Sequence, residues 1–436
     1  MSQNNLRYKV DFLMRSVDEG VIANAILDID TGAVLWSGPA IDAPPSDSNI
    51  VHLQGLVMPG FINAHAHTPM LLLRGTGEGL PTTKWLTDVM WPREGRLVEK
   101  DVSWAMRLGA SELLLNGITT TNEMYFFGNA VAESAVAAGL RCIVSAPLIE
   151  SSMFSRFGST DDQLANLNSM RTQWSNHHLI EVGVGPHAAY SLSRQTLTTL
   201  SEFLSTEPML VHIHIAEQPH EADEILSTTG LTVPEYLDEI GLLTDRTIAA
   251  HCVWLTESDI QLFAERGVSV AHCPVSNGRH ASGIAPLNEL VSAGVKVGIG
   301  TDGPASHDRL DMFDEMRCAM RYARIRAMDA SQISPAEVLY MATRGSALAL
   351  GRTDIGELTA GMRADFVRVD ISSPGFDPVF EFSALLDRYV WVGSPSIIRD
   401  VWVEGKCVVK DGECLTIDRV EAQKMTMQCA RHLMQE

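Results

Sequence analysis

TIAAHCVWLTESDIQLFAERGVSVAHC, residues 247–273, holds one full unit of the pattern that decides the fold. A short apolar run, Thr247 to Cys252, leads into a stretch of helical periodicity, Glu257 to Arg266, and then into a second short run, Val268 to Cys273. Strand, helix and strand in that order make a βα unit, whose successive strands pair in parallel. Outward from this unit the rhythm continues in both directions. Further runs stand at Leu56 to Ala64, Gly117 to Met124, Leu140 to Leu148, Ile180 to His187, Met209 to Ile215 and Val295 to Thr301. Helical stretches lie between them at Ser103 to Asn116, Gly128 to Ala138 and Arg194 to Ser205. Eight alternations over about 250 residues is the size of a closed (β/α)8 TIM-type barrel. An open doubly wound sheet is the alternative topology.

The two ends of the chain have a different texture. Residues 1–58 and 356–436 carry short strand-like runs (AILDID, AVLWSG, ADFVRVD, IIRDVWVEGKCVVKDGE) punctuated by Gly and Asp turns. They predict antiparallel β structure from both ends, paired into one small β-sandwich outside a barrel of residues 59–355, with a final helix over Asp418 to Glu436.

Composition narrows the class of partner. The 436 residues include 33 Lys plus Arg against 54 Asp plus Glu, a formal net charge of -21, with 45% hydrophobic and 20% charged residues. This is a folding composition, and its charge opposes binding to nucleic acid, which depends on Lys and Arg displacing counterions. A small neutral or cationic ligand fits better. Apolar stretches fall short of the roughly 18 to 20 residues that span a bilayer, and the opening residues lack a secretory-signal plan. A cytoplasmic protein without a membrane partner is expected. The seven cysteines have no CxxC spacing and read as free thiols. The oligomeric state, homo-oligomers included, stays open.

In a barrel, chemistry gathers at the carboxyl ends of the strands. The first run ends in Asn63-Ala64-His65-Ala66-His67, whose two histidines share one face of an extended chain. Later runs end in His187, in His214 with Glu217 three residues on, in His251, in His272 and in Asp302. A single His at a strand end is usually a packed core residue, and His272 keeps that reading beside Pro274, Ser276 and Asn277. His212 alternates onto the face of His214 and is a further ligand candidate. His65, His67, His214, His251 and Asp302 at one barrel mouth point instead to a mononuclear metal centre. Imidazoles with one carboxylate and no thiolate suit a single divalent ion per subunit, zinc first, with iron or another transition ion as alternatives. Asp302 can bind the metal and accept a proton. Glu217 becomes the candidate proton shuttle, and His251 either a ligand or an electrophilic partner.

These residues, in this order, resemble the amidohydrolase superfamily. The flanking segments PGFINAHAHTPMLLLRG, KWLTDVMWPREGRL, HIAEQ, HCPVSN, ASGIAPL and GTDGPAS are similar to the branch that includes 5-methylthioadenosine/S-adenosylhomocysteine deaminases, near the chlorohydrolases and guanine deaminases. The resemblance implies metal ligands His65, His67, His214 and Asp302, with Glu217, His251 and Asp302 catalytic. It implies that Glu94, in Trp91-Pro92-Arg93-Glu94, contacts a nucleoside, that His187 lies near metal and substrate, and that Trp85 walls the pocket, with Ser306 a weaker candidate. Taken alone, Glu94 has the lesser alternative of a surface carboxylate, and Trp85 reads equally as a core aromatic. Gly278-Arg279-His280 stands where the family pattern has Lys and Leu before ASGIAP, so the rim is expected to differ. Arg156 is the one candidate for binding a carboxylate on the substrate. The implied activity is metal-dependent deamination of a small-molecule adenine nucleoside: 5'-methylthioadenosine, S-adenosylhomocysteine, adenosine or 5'-deoxyadenosine. The alternatives are another amino-heterocycle (guanine, an oxidised purine, a pterin, an s-triazine) and a non-catalytic scaffold.

Overall fold

A computed structural model describes residues 6–378 and 383–434. Strands β1 (Leu6–Leu13), β2 (Ile22–Asp30), β3 (Ala33–Pro39) and β4 (Ile50–Pro59) come first. Eight more follow: β5 (Phe61–Ala66), β6 (Ile118–Glu123), β7 (Arg141–Leu148), β8 (Ile180–Pro186), β9 (Val211–Ile215), β10 (Thr247–His251), β11 (Ser269–His272) and β12 (Val297–Ile299). These eight lie side by side in chain order, each parallel to the next. The sheet closes on itself where Asp302 N donates to His65 O at 3.0 Å, beside a parallel bridge between Ala66 and Asp302. The fold is therefore a (β/α)8 barrel and not an open sheet. All residues of β5 and β6 are buried, as expected for parallel strands covered on both faces.

Glycine makes the closure possible. A Cβ on Gly300 would lie 2.8 Å from His65 Cβ, and one on Gly298 would lie 2.9 Å from Ala64 Cβ. Only bare backbone lets the last strand reach the first. Glycine also resolves one departure from the sequence reading. The run Leu56 to Ala64, expected as one strand, is divided between β4 and β5. The division falls at Gly60, where a Cβ would sit 2.3 Å from Thr119 Cγ2. The other runs each hold one barrel strand. Helices Gly128–Ala138 and Glu257–Arg266 have the expected limits, whereas the helix expected from Ser103 begins at Glu99, because the Asp101 carboxylate accepts from Val98 N at 2.9 Å and caps an earlier turn.

The C-terminal strands β13 (Phe366–Val369), β14 (Ile398–Val403), β15 (Lys406–Lys410) and β16 (Glu413–Cys414) join β1 to β4 in one sheet of order β16-β15-β14-β13-β4-β1-β2-β3. The two ends of the chain meet where β13 pairs antiparallel with β4. The sheet is mixed, with β1 and β4 parallel where antiparallel pairing was expected. It folds over its own apolar interior: Tyr8 on β1 and Trp402 on β14, three strands away, have ring centroids 5.8 Å apart. Tyr8, Leu27, Leu53, Phe366 and Trp402 belong to that interior. The expected last helix spans Arg419–Met434 and packs on the helix Glu99–Leu115, with His432 Nε2 2.8 Å from Asp101 Oδ2. Residues 1–5, 379–382 and 435–436 of the expected outer segments lie outside the described residues. No described helix is long and apolar enough to cross a membrane.

Candidate active site

The carboxyl ends of β5, β9, β10 and β12 converge on one cleft. The ligating atoms of His65, His67 and Asp302 lie within 4.8 Å of one another, and so do those of His65, His214 and His251. His65 Nε2 and His67 Nε2 are 3.4 Å and 3.5 Å from Asp302 Oδ1. His67 Nε2 is 3.2 Å from His214 Nε2. Residues far apart in sequence thus aim their Nε2 atoms at one point.

Each imidazole is oriented by its other nitrogen. His67 Nδ1 donates to Met124 O at 2.6 Å, His214 Nδ1 to His187 O at 2.6 Å, and His251 Nδ1 to Asn277 Oδ1 at 2.8 Å. For His67 and His214 this fixes the tautomer that leaves Nε2 with a lone pair, the usual arrangement behind a metal-binding imidazole. His65 Nδ1 is 2.6 Å from His212 Nε2, while its Nε2 is buried without a hydrogen-bond partner. A buried, unpartnered lone pair beside a carboxylate oxygen is what a divalent cation would satisfy, so this donor set fits one. Asp302 is held on both oxygens: Ser276 Oγ donates to Oδ2 at 2.5 Å and Gly303 N to Oδ1 at 2.7 Å.

Electrostatics agree with that fit. Burial pushes the His65 imidazole down to about 3 and that of His214 well below its usual range, so both are neutral donors near pH 7. Burial would raise the Asp302 carboxyl, but the close approach of His65, 3.4 Å away, and the positive charge favoured on His251 hold it well below the usual carboxylate range. Metal binding needs these protonation states. His251 differs, since burial lowers its pKa but the charges of Glu217 and Asp302 outweigh that and raise it. Its Nε2 lies 3.9 Å from Glu217 Oε2. Backbone strain gathers here as well: Ala216, His251 and Asp302 have φ of 49°, 70° and 56°. Such left-handed conformations in non-glycine residues cluster at functional sites.

The remaining predicted residues fall as follows. Trp85, Glu94 and His187 line the same cleft as His67, His214, Glu217, His251 and Asp302. Glu94 is 6% exposed, which removes its reading as a surface carboxylate, and burial pushes its carboxyl up to about 7. Trp85 belongs to the hydrophobic core and to the cleft wall at once. His187 Nδ1 is 2.9 Å from Ser191 Oγ, and burial lowers its imidazole to about 3. Ser306 is buried behind the wall and donates to Gly303 O at 2.9 Å. Arg156 lies over the Phe157 ring at 4.8 Å and reaches Glu94 O at 3.3 Å. Arg279 pairs with Glu78 and Asp308, and His280 enters the wall with its ring 4.7 Å from that of Trp85. His212 stands behind His65, outside both ligand groups, and His272 is buried. Tyr125, Tyr190 and Met70 in the wall were not foreseen. Tyr125 follows β6, Tyr190 follows β8 and Met70 lies in the turn after β5, and their residue types carry no metal-ligand signal.

The Amidohydrolase family model matches residues 56–408. A 5'-deoxyadenosine deaminase of Methanopyrus kandleri is 37% identical over 382 residues, covering 87% of this chain and 86% of its own. A 5-methylthioadenosine/S-adenosylhomocysteine deaminase of Syntrophobacter fumaroxidans is 36% identical over 421 residues, covering 96% and 94%. Among solved structures, an adenosine deaminase from Xanthomonas campestris with bound zinc superposes with a TM-score of 0.91 at 32% identity, covering 98% of each chain. The chain belongs to the amidohydrolase family.

Proposed function

We propose that this protein hydrolytically deaminates an adenine nucleoside (5'-methylthioadenosine, S-adenosylhomocysteine, adenosine or 5'-deoxyadenosine) to the inosine-type product and ammonia. The observation that carries this reading is one cleft with two chemistries: His65, His67, His214 and Asp302 converge beside Glu217, and the buried carboxyl of Glu94 lines the same space. Relatives named for deaminating 5'-deoxyadenosine and 5-methylthioadenosine, and a zinc-containing adenosine deaminase of the same fold, support it.

His65, His67, His214 and Asp302 would hold one zinc ion per subunit. When bound, the ion would supply Lewis acidity and make water a nucleophile near neutral pH. Glu217 carries the proton that water gives up to ring nitrogen 1 as carbon 6 is attacked. His251 and Asp302 stabilise charge at the tetrahedral carbon, His251 as a cation favoured by its acidic neighbours. A proton then passes to the exocyclic nitrogen, the carbon–nitrogen bond breaks, ammonia leaves and the ring keeps a carbonyl. Glu94 accepts from ribose hydroxyls, Trp85 packs against the substrate, and His187 borders substrate and metal. Seven free thiols suit a reducing compartment, and we place the protein in the cytoplasm.

Loss of the adenine absorbance band with release of ammonia is the assay. Zinc-loaded protein that leaves all four nucleosides unchanged would refute the assignment. The second reading, another amino-heterocycle on the same centre, is favoured by one feature: the polar His280 stands beside Trp85 in the wall. A screen of guanine, oxidised purines, pterins and s-triazines separates the two.

A further inference from the structure

Three chain segments distant in sequence meet at the amide of Gln218. Gln218 is the residue before the helix Pro219–Thr229, next to Glu217. Its two Nε2 hydrogens are shared among three acceptors, Thr82 Oγ1 at 2.8 Å, Ser282 Oγ, and Glu217 Oε1 at 3.2 Å. Ser282 Oγ in turn faces Glu217 Oε1 at 3.5 Å. Both Thr82 and Ser282 are buried, and Ser282 O is fixed by Trp254 Nε1 at 2.7 Å. The ends of this relay are therefore anchored.

We propose that Gln218 is a positioning residue: it sets the carboxylate of Glu217 and ties it to the segment that walls the cleft. The inference rests on the reading of Glu217 as the proton carrier. That carboxylate is acceptor-only when ionised, and the Glu217 side chain has freedom about its own torsions. Its main chain is already held, because Glu217 N donates to Glu221 Oε2 at 3.0 Å. What remains to be fixed is the carboxylate itself, and Gln218 with Ser282 supplies N–H and O–H donors on one oxygen, leaving Oε2 toward His251. The other arm of the amide reaches Thr82, which opens the stretch Thr82–Glu94 bearing Trp85 and Glu94. A second tie runs parallel to it, His220 Nε2 lying 3.1 Å from Thr83 Oγ1. Seating of the wall and aim of the proton carrier are thus set by one amide.

The test uses the full-length, zinc-loaded protein. Gln218→Leu keeps the volume and removes the donors. Losing a hydrogen bond to a charged group predicts a fall in kcat of roughly 10- to 100-fold. Zinc content should stay at the wild-type level. In a Glu217→Gln background the same substitution should cost less than about twofold, because the carboxylate it serves is gone. Thr82→Val, at the far end of the relay, should raise KM and leave kcat nearly unchanged. Amide hydrogen exchange over residues 82–94 should quicken in both single variants while the helix Arg419–Met434 is unaffected. That measurement needs no turnover, so it tests the tie even if the wild type deaminates nothing, a result that would refute the proposed function separately. Unchanged exchange over 82–94 would overturn the inference. So would a kcat loss of equal size in the wild-type and Glu217→Gln backgrounds, which marks general distortion. If Gln218→Leu does not fold, Thr82→Val and Ser282→Ala carry the same decision through KM and kcat respectively.

Discussion

Glu217 and Glu94 are both carboxylates in one cleft, and their surroundings suit them to the two roles proposed for them. Glu217 sits 3.9 Å from His251 Nε2 and is served by N–H and O–H donors, as suits a group that takes and returns a proton. Replacing it with Gln should lower kcat by about 10²- to 10⁴-fold, the usual worth of general acid–base catalysis, without loss of zinc. Steady-state kinetics beside metal analysis checks both halves. Glu94 is buried, and its carboxyl is pushed up to about 7. Below that pH it is protonated and can donate; above it, in the role proposed for it, the carboxylate would accept from both ribose hydroxyls. KM for a nucleoside should therefore fall as pH rises through 7, and Glu94→Gln should flatten this dependence and raise KM about tenfold at pH 8. A free base lacking ribose should show neither effect. The strand-end pattern pointed to Glu217 and the family resemblance to Glu94, which kept a surface group as its lesser reading, because burial depends on neighbours from other strands.

At the scale of elements, the site depends on how closely β12 can approach β5. The segment Val295 to Thr301 reads as a strand, and glycines such as Gly298 and Gly300 ordinarily weaken one. In the fold they are the points of closest contact, with Gly300 against His65. Gly300→Val would have to push β5 outward and with it His65. Overpacking of this kind costs about 1–3 kcal/mol. The expected result is a lowered melting temperature together with substoichiometric zinc, read by calorimetry and metal analysis. The opposite error occurred at Leu56 to Ala64, where continuous apolar character concealed the passage from one sheet to another at Gly60. Hydropathy reports that a residue is buried, not which of two cores buries it.

At the scale of the whole molecule, the barrel and the outer sheet are joined by a buried ion network. Arg141, which opens β7, is fully buried and bonds Asp365 Oδ2 at 2.9 Å and Glu404 Oε1 at 3.2 Å. Its partners stand beside β13 and β14, so the pair spans two sheets. Removing one member of a buried ion pair typically costs about 3–5 kcal/mol, since the other is left uncompensated. Arg141→Met should lower the urea midpoint accordingly while leaving KM within twofold, the network lying far along β7 from its carboxyl end. The sequence by itself determined the alternation that makes a barrel, the β character of both ends, and the strand-end residues His65, His67, His214, His251 and Asp302. These are legible because strand and helix periodicities are local, and a barrel places every strand's carboxyl end at one mouth. Only the tertiary structure decided the rest: that the outer sheet is mixed, that His212 stands behind His65, that Asn277 and Ser276 turn onto His251 and Asp302, and that Gln218 bridges Thr82 to Glu217. Those relations join residues far apart in the chain, and the distances that create them come from packing, which no local pattern encodes.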